Sequence, residues 1–144
     1  MSDDGKATGR CLCGAVKIRL TGDHKDVSVC HCAMCRRWGS GPNMAIDVGN
    51  GIEIEGKEHV TAYRSSDWAE RAFCTKCGSN LYYRIVDADQ YVLCAGILDD
   101  QAGLALTGQV FINDKPDFYD FANETKNMTG AEVFAMYAPA GDET

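Results

Sequence analysis

Seven of the eight cysteines in this 144-residue chain fall into three clusters: Cys11 and Cys13 as CxC, Cys30, Cys32 and Cys35 as CxCxxC, and Cys74 and Cys77 as CxxC. Thiolates at such spacing are what a tetrahedral zinc ion requires, so the fold must bring these segments together around metal. Four sulfurs saturate one ion. The remaining three are enough to hold a second with its fourth position open. A secreted disulfide framework fits less well, because it usually goes with shorter chains and a signal sequence. Side chains two apart on a strand also point the same way without reaching disulfide geometry.

The length suits one domain, expected over residues 9–138 with flexible ends at 1–8 and 139–144. Hydrophobic residues make up 45% and charged residues 24%, an ordinary globular balance. A formal net charge of -7 argues against nucleic-acid partners, since no long basic stripe is present to follow a phosphate backbone. The opening MSDDGKATGR lacks the apolar core of a secretory signal. The longest apolar run, Tyr91 to Leu98, is far short of the roughly 20 residues that cross a bilayer. A soluble, cytoplasmic protein without membrane contact is therefore expected.

Period-two alternation predicts strands. Leu12, Val16, Ile18 and Leu20 share one parity while Cys11, Cys13, Lys17 and Arg19 share the other, which would turn both thiols away from the apolar face. Val27 and Val29 alternate in the same way with Ser28, Cys30 and Cys32. Cys35 then requires the chain to leave the strand and fold back in a knuckle, and Gly39, Gly41 and Pro42 mark a loop. Further strands are predicted at Met44 to Val48, Ile52 to Glu55, Val60 to Arg64, Leu81 to Val86, Tyr91 to Ile97 and Leu104 to Ile112, with Ala69 to Phe73 leading into the CxxC. Asn50-Gly51 reads as a hairpin turn, and Gly78 suits a left-handed position after the CxxC. The best helical segment is Ala131 to Tyr137. The predicted class is all-β, with antiparallel sheets carrying zinc knuckles.

The CxC and CxxC pairs supply four sulfurs from distant parts of the chain, a closed structural site that staples the N-terminal segment to the middle of the fold. Cys30, Cys32 and Cys35 lie within six residues and cannot complete a tetrahedron, so water, a nearby His or carboxylate, or a substrate thiolate must do so. Strand parity turns His31 to the opposite face, as a packed or hydrogen-bonded residue. His24 and His59 read as solvent-exposed, and Cys94 as a buried small hydrophobe. Arg36 and Arg37 follow the trio directly and place cationic charge where an anionic ligand would arrive. The Phe118-Tyr119-Asp120-Phe121 patch is expected to pack a C-terminal tail onto the sheet rather than rim a pocket.

The ordered motifs Gly9-Arg-Cys11-Leu-Cys13-Gly14-Ala15-Val16, Cys30-His31-Cys32-Ala-Met-Cys35-Arg36 and Phe73-Cys74-Thr-Lys-Cys77-Gly78-Ser79 resemble the glutathione-dependent formaldehyde-activating enzyme family, which includes the centromere protein V relatives. The resemblance spans residues 9 to about 112. It implies an Mss4-like fold with two zinc ions, the structural one on Cys11, Cys13, Cys74 and Cys77 and the catalytic one on Cys30, Cys32 and Cys35. It also implies carbon-sulfur lyase activity, joining glutathione and formaldehyde into S-hydroxymethylglutathione or reversing that step. A small-molecule thiol and aldehyde as partners follow from it, with zinc, already expected from the ligand spacing, as cofactor, while Arg36 or Arg37 is expected from its place beside the trio to help hold an anionic substrate. Two other readings fit the same clusters: a non-enzymatic zinc-stabilised binding module, and a thiol redox or zinc-storage protein.

Overall fold

The structure is a computed structural model, and it describes residues 7–137. The expected flexible segments lie mostly outside that range, although Thr8 already opens a strand. In chain order the elements are β1 Thr8–Arg10, β2 Lys17–Leu20, β3 Asp26–Cys30, α1 Ala33–Gly39, β4 Asn43–Gly49, β5 Ile52–Glu55, β6 Val60–Arg64, β7 Ala69–Cys74, β8 Asn80–Ile85, β9 Gln90–Cys94, β10 Ala105–Val110, β11 Lys126–Met128 and α2 Gly130–Tyr137. The chain divides into two compact units. One comprises the described residues up to Lys25 together with Ala45–Leu104, the other Asp26–Met44 with the described residues from Ala105 onward.

In the first unit β1, β2 and β5 form a small antiparallel sheet, and β4, β9, β8, β7 and β6 follow one another as antiparallel neighbours. Alternation explains the core: Val16, Ile18 and Leu20 are buried from one side of β2, while Ala72, Leu81 and Leu93 are buried from the larger sheet. Gly56 is required where it stands, because its φ is 86° and a Cβ there would drive into the Ala15 carbonyl oxygen. In the second unit β10 runs parallel to both β3 and β11.

That parallel pairing corrects the expectation of wholly antiparallel sheets. Parallel neighbours need a long crossover, and both the segment between β3 and β10 and the segment between β10 and β11 are long enough to supply one. The predicted strand over Leu12 to Leu20 is also corrected, since only Lys17–Leu20 is extended. Cys11 to Val16 is a turn, closed by the Cys11 amide on the Val16 carbonyl at 3.0 Å and the Gly14 amide on the Cys11 carbonyl at 3.1 Å. Parity reverses accordingly: Leu12 is 86% exposed and Cys11 is buried. Asn50-Gly51 does make a turn, with the Gly51 amide on the Val48 carbonyl, but β4 pairs with β9 and β5 with β2, so no hairpin results. The predicted strand Tyr91 to Ile97 stops at Cys94 and continues as a 3-10 turn, Ala95–Ile97. Cys32 lies beyond β3 as the N-cap of α1, a helix that takes the place of the expected knuckle and includes Gly39. β5, β6 and the left-handed Gly78, at φ 79°, stand as predicted.

Candidate metal centres

The first unit gathers Cys11 and Cys13 from the turn after β1 with Cys74 from the end of β7 and Cys77 from the turn into β8. Their sulfurs all lie within 4.8 Å of one another. Cys13 Sγ is 3.7 Å from Cys11 Sγ and 3.8 Å from Cys74 Sγ. A tetrahedron of thiolates about 2.3 Å from a central zinc has edges of about 3.8 Å, whereas bonded disulfide sulfurs sit about 2.05 Å apart. No disulfide joins any of the eight cysteines. The donor set and its spacing therefore fit a four-sulfur metal site.

Backbone and hydroxyl donors serve these sulfurs. The Val16 amide donates to Cys11 Sγ at 3.3 Å. The CxxC is bent by the Gly78 amide on the Cys74 carbonyl at 2.8 Å and the Cys74 amide on the Ser79 carbonyl at 2.9 Å. The Ser79 hydroxyl lies 3.2 Å from Cys77 Sγ and accepts the Leu12 amide at 3.0 Å, so one side chain ties the two knuckles together. The Ser79 hydroxyl and amide hold the Cys77 thiol well below its ordinary range, at about 5.

The second unit gathers Cys30, the last residue of β3, with Cys32 and Cys35 across the start of α1. Again the sulfurs lie within 4.8 Å of one another, and the group comprises these three among the described residues. Cys32 caps the helix, its sulfur accepting the Cys35 amide at 3.4 Å. The adjoining Cys32 and Cys35 sulfurs, together with burial, push the Cys30 thiol far above its ordinary range. Three clustered thiolates repel unless a cation holds them, which is the fit expected of a metal site.

His31 does not join the trio. Its ring is fully buried, with Nδ1 2.8 Å from the Tyr119 hydroxyl and Nε2 2.8 Å from Gln109 Oε1, in keeping with its parity. Arg36 and Arg37, on α1, line a cavity of about 450 Å³ with Pro116, Phe118 and Tyr119 among its other walls. Arg36 Nε donates to the His31 carbonyl at 2.9 Å. The aromatic patch, expected to pack a tail, divides: Phe118, 81% exposed, and Tyr119 line this cavity, while Tyr119 and Phe121 lie against His31. Lys115 reaches Asp120 Oδ1 at 2.7 Å and lies over the Tyr119 ring. Of the remaining candidates, His24 Nε2 bonds the Thr21 carbonyl and His59 is half-buried beside Glu58. Cys94, expected to be buried, is half-buried at the end of β9 and belongs to neither group. Gln109 went unread in the sequence, and Tyr119 was read only as part of the aromatic patch, since nothing local marks residues that meet His31 from so far along the chain. Among the described residues, no helix is long and apolar enough to cross a membrane.

These features define a small, mostly β protein with a four-thiol and a three-thiol group that could each hold a metal ion, the second at the start of a helix that also lines a cationic cavity. The family model described as "Glutathione-dependent formaldehyde-activating enzyme" matches residues 6–114. The chain belongs to that family and is an enzyme. An uncharacterized lyase of Schizosaccharomyces pombe is 38% identical over 126 residues, covering 87% of this chain and 92% of its own. A Halomonas elongata protein, provisionally named a glutathione-dependent formaldehyde-activating enzyme, is 31% identical over 83 residues, 51% of this chain and 53% of its own. A crystal structure of a Rhodobacter sphaeroides protein superposes with a TM-score of 0.54 at 28% identity, covering 64% of this chain and 87% of that one.

Proposed function

We propose that this protein is a zinc-dependent carbon-sulfur lyase acting on a thiol-aldehyde adduct such as S-hydroxymethylglutathione, in one direction or the other. Cys11, Cys13, Cys74 and Cys77 would hold a structural zinc and Cys30, Cys32 and Cys35 a catalytic one, on an Mss4-like fold acting as one domain over residues 9–138. The observation that carries this reading is the convergence of only three sulfurs on the segment that leads into the Arg36 and Arg37 cavity. Zinc bound there lowers the pKa of a thiol and polarises a carbonyl oxygen.

The chain's own residues bind and orient. Arg36 has its Nε tied to the His31 carbonyl, which fixes the plane of its guanidinium. With Arg37 it suits the carboxylates of a glutathione-like thiol. The cavity, about 450 Å³, falls within the usual range for small-molecule sites. In the forward direction the thiol sulfur bonds the aldehyde carbon, the carbonyl π electrons move to oxygen, and that oxygen takes up a proton equivalent to the one the thiol releases. Cleavage reverses each change. Thiols that no disulfide joins are kept so by a reducing compartment, which supports a cytoplasmic setting.

Elemental analysis and exchange NMR of glutathione with formaldehyde test the reading together. Two zinc ions per chain are expected, falling to one in Cys35→Ser with loss of catalysed exchange. One zinc per chain in both proteins would sink it, and two zinc ions without acceleration in the native protein would leave a binding module instead.

A further inference from the structure

A chain of polar side chains runs from exposed Asn127 through half-buried Thr125 to buried Gln109 and His31. Asn127 Oδ1 accepts the Thr125 hydroxyl at 2.6 Å, Thr125 Oγ1 accepts Gln109 Nε2 at 2.9 Å, and Gln109 Oε1 faces His31 Nε2 at 2.8 Å. Because Gln109 presents its carbonyl oxygen, the His31 proton sits on Nε2. Nδ1 is then the acceptor for the Tyr119 hydroxyl at 2.8 Å. Both His31 and Gln109 are among the few buried polar residues of the chain. Burying the donors and acceptors of these two side chains costs stability unless each is paired, and an apolar filling would carry no such risk.

What the arrangement achieves is visible at its two outlets. Through its ring His31 fixes Tyr119, and through its carbonyl it fixes Arg36 Nε at 2.9 Å. Both residues line the same cavity. Phe121 packs against the imidazole with centroids 6.1 Å apart, and the Lys115 ammonium sits 5.2 Å from the Tyr119 ring centre, so the aromatic wall is braced on both sides.

We propose that His31 is a positioning residue for the lyase reaction: locked by Gln109, it sets Tyr119 and Arg36 at the spacing that receives the thiol substrate. This rests on the functional reading above and adds residues that touch no metal in it. Placement of substrate-binding groups is steeply reflected in affinity, because a donor shifted from its partner forfeits the bond while keeping its desolvation cost.

The test uses the zinc-loaded protein with S-methylglutathione as a non-reacting probe, alongside kcat and KM for the glutathione-formaldehyde reaction. Tyr119→Phe keeps the ring and deletes only the hydroxyl. It should weaken S-methylglutathione binding and raise KM by about tenfold, with kcat within about twofold and zinc content unchanged. Gln109→Met cuts the chain at its far end and should reproduce the same split, which keeps the proposal testable should Tyr119→Phe fold poorly. A lowered melting temperature with unaltered affinity means a purely structural role and overturns the proposal. So does a fall in kcat with a shifted pH profile and unchanged probe affinity, which would make Tyr119 an acid-base group. Affinity lost in Tyr119→Phe but kept in Gln109→Met removes His31 from the account. An inactive wild type that does not bind the probe overturns the lyase reading and this proposal together.

Discussion

Replacing Ser79 by alanine should loosen the first metal centre selectively. The hydroxyl makes two contacts, accepting the Leu12 amide at 3.0 Å and reaching Cys77 Sγ at 3.2 Å. The Leu12 contact is exposed, so water takes over that amide at little cost. The sulfur contact is different in kind, because a hydroxyl donating to a thiolate is charge-assisted and helps keep Cys77 deprotonated at about 5. Groups that support metal ligands in this way are worth roughly 10- to 100-fold in metal affinity. One of the two contacts being replaceable by water, and the Ser79 amide remaining, the lower end applies: about tenfold. The measurement is chelator competition in a Cys35→Ser background, where only the first centre is expected to bind, comparing Ser79, Ser79→Ala and Ser79→Thr. Threonine should retain the affinity. Identical affinities for all three would refute the argument that this hydroxyl supports the site.

Acidification should weaken the same centre. The Cys77 thiol is lowered from 9.0 to about 5, so between these values the unfolded chain binds the proton that the folded one has released. That stabilisation is fully present above pH 9 and is lost as pH falls through about 5, which thermal melts across that window would register. Gly56→Ala should cost at least about 3 kcal/mol, combining a left-handed backbone penalty with overlap on the Ala15 carbonyl, and a melting temperature near wild type would contradict this.

Ligand spacing was readable in the sequence because it is local. CxC, CxCxxC and CxxC each mark sulfurs that can share an ion, and the structure gathers the CxC with the CxxC from 61 positions along the chain and the CxCxxC by itself. A strand with clean alternation, such as Ile52–Glu55, was equally legible. What failed was pairing. Asn50-Gly51 fixes a turn but not the sheet each flanking strand joins, and no local pattern announces that β10 runs parallel to β3. Helix α1 was hidden for another reason: Cys32 serves as ligand candidate and N-cap at once, and cysteine is not a residue that ordinarily signals a helix start. The Tyr119 contact to His31 joins residues 88 apart, beyond any window that periodicity samples.

The two sulfur groups also differ in what they do for the fold, and the difference can be sized. Cys13 and Cys74, 61 positions apart, close a long loop, whereas Cys30 and Cys35 bracket a short turn that the Cys32 cap on the Cys35 amide already holds. Loop-closure entropy scales with the logarithm of length, so losing the first clasp should cost about 2 kcal/mol more than losing the second, before any difference in ligand bonds. Cys74→Ser is accordingly expected to lower the melting temperature well beyond Cys35→Ser, each measured by calorimetry after loading with zinc. On the proposed reading, a catalytic centre that closes little chain could exchange a ligand without unfastening the protein, while the long-range clasp stays shut. Equal destabilisation by the two substitutions would mean that the three-thiol segment is itself a structural staple, and the division of labour between the centres would have to be abandoned.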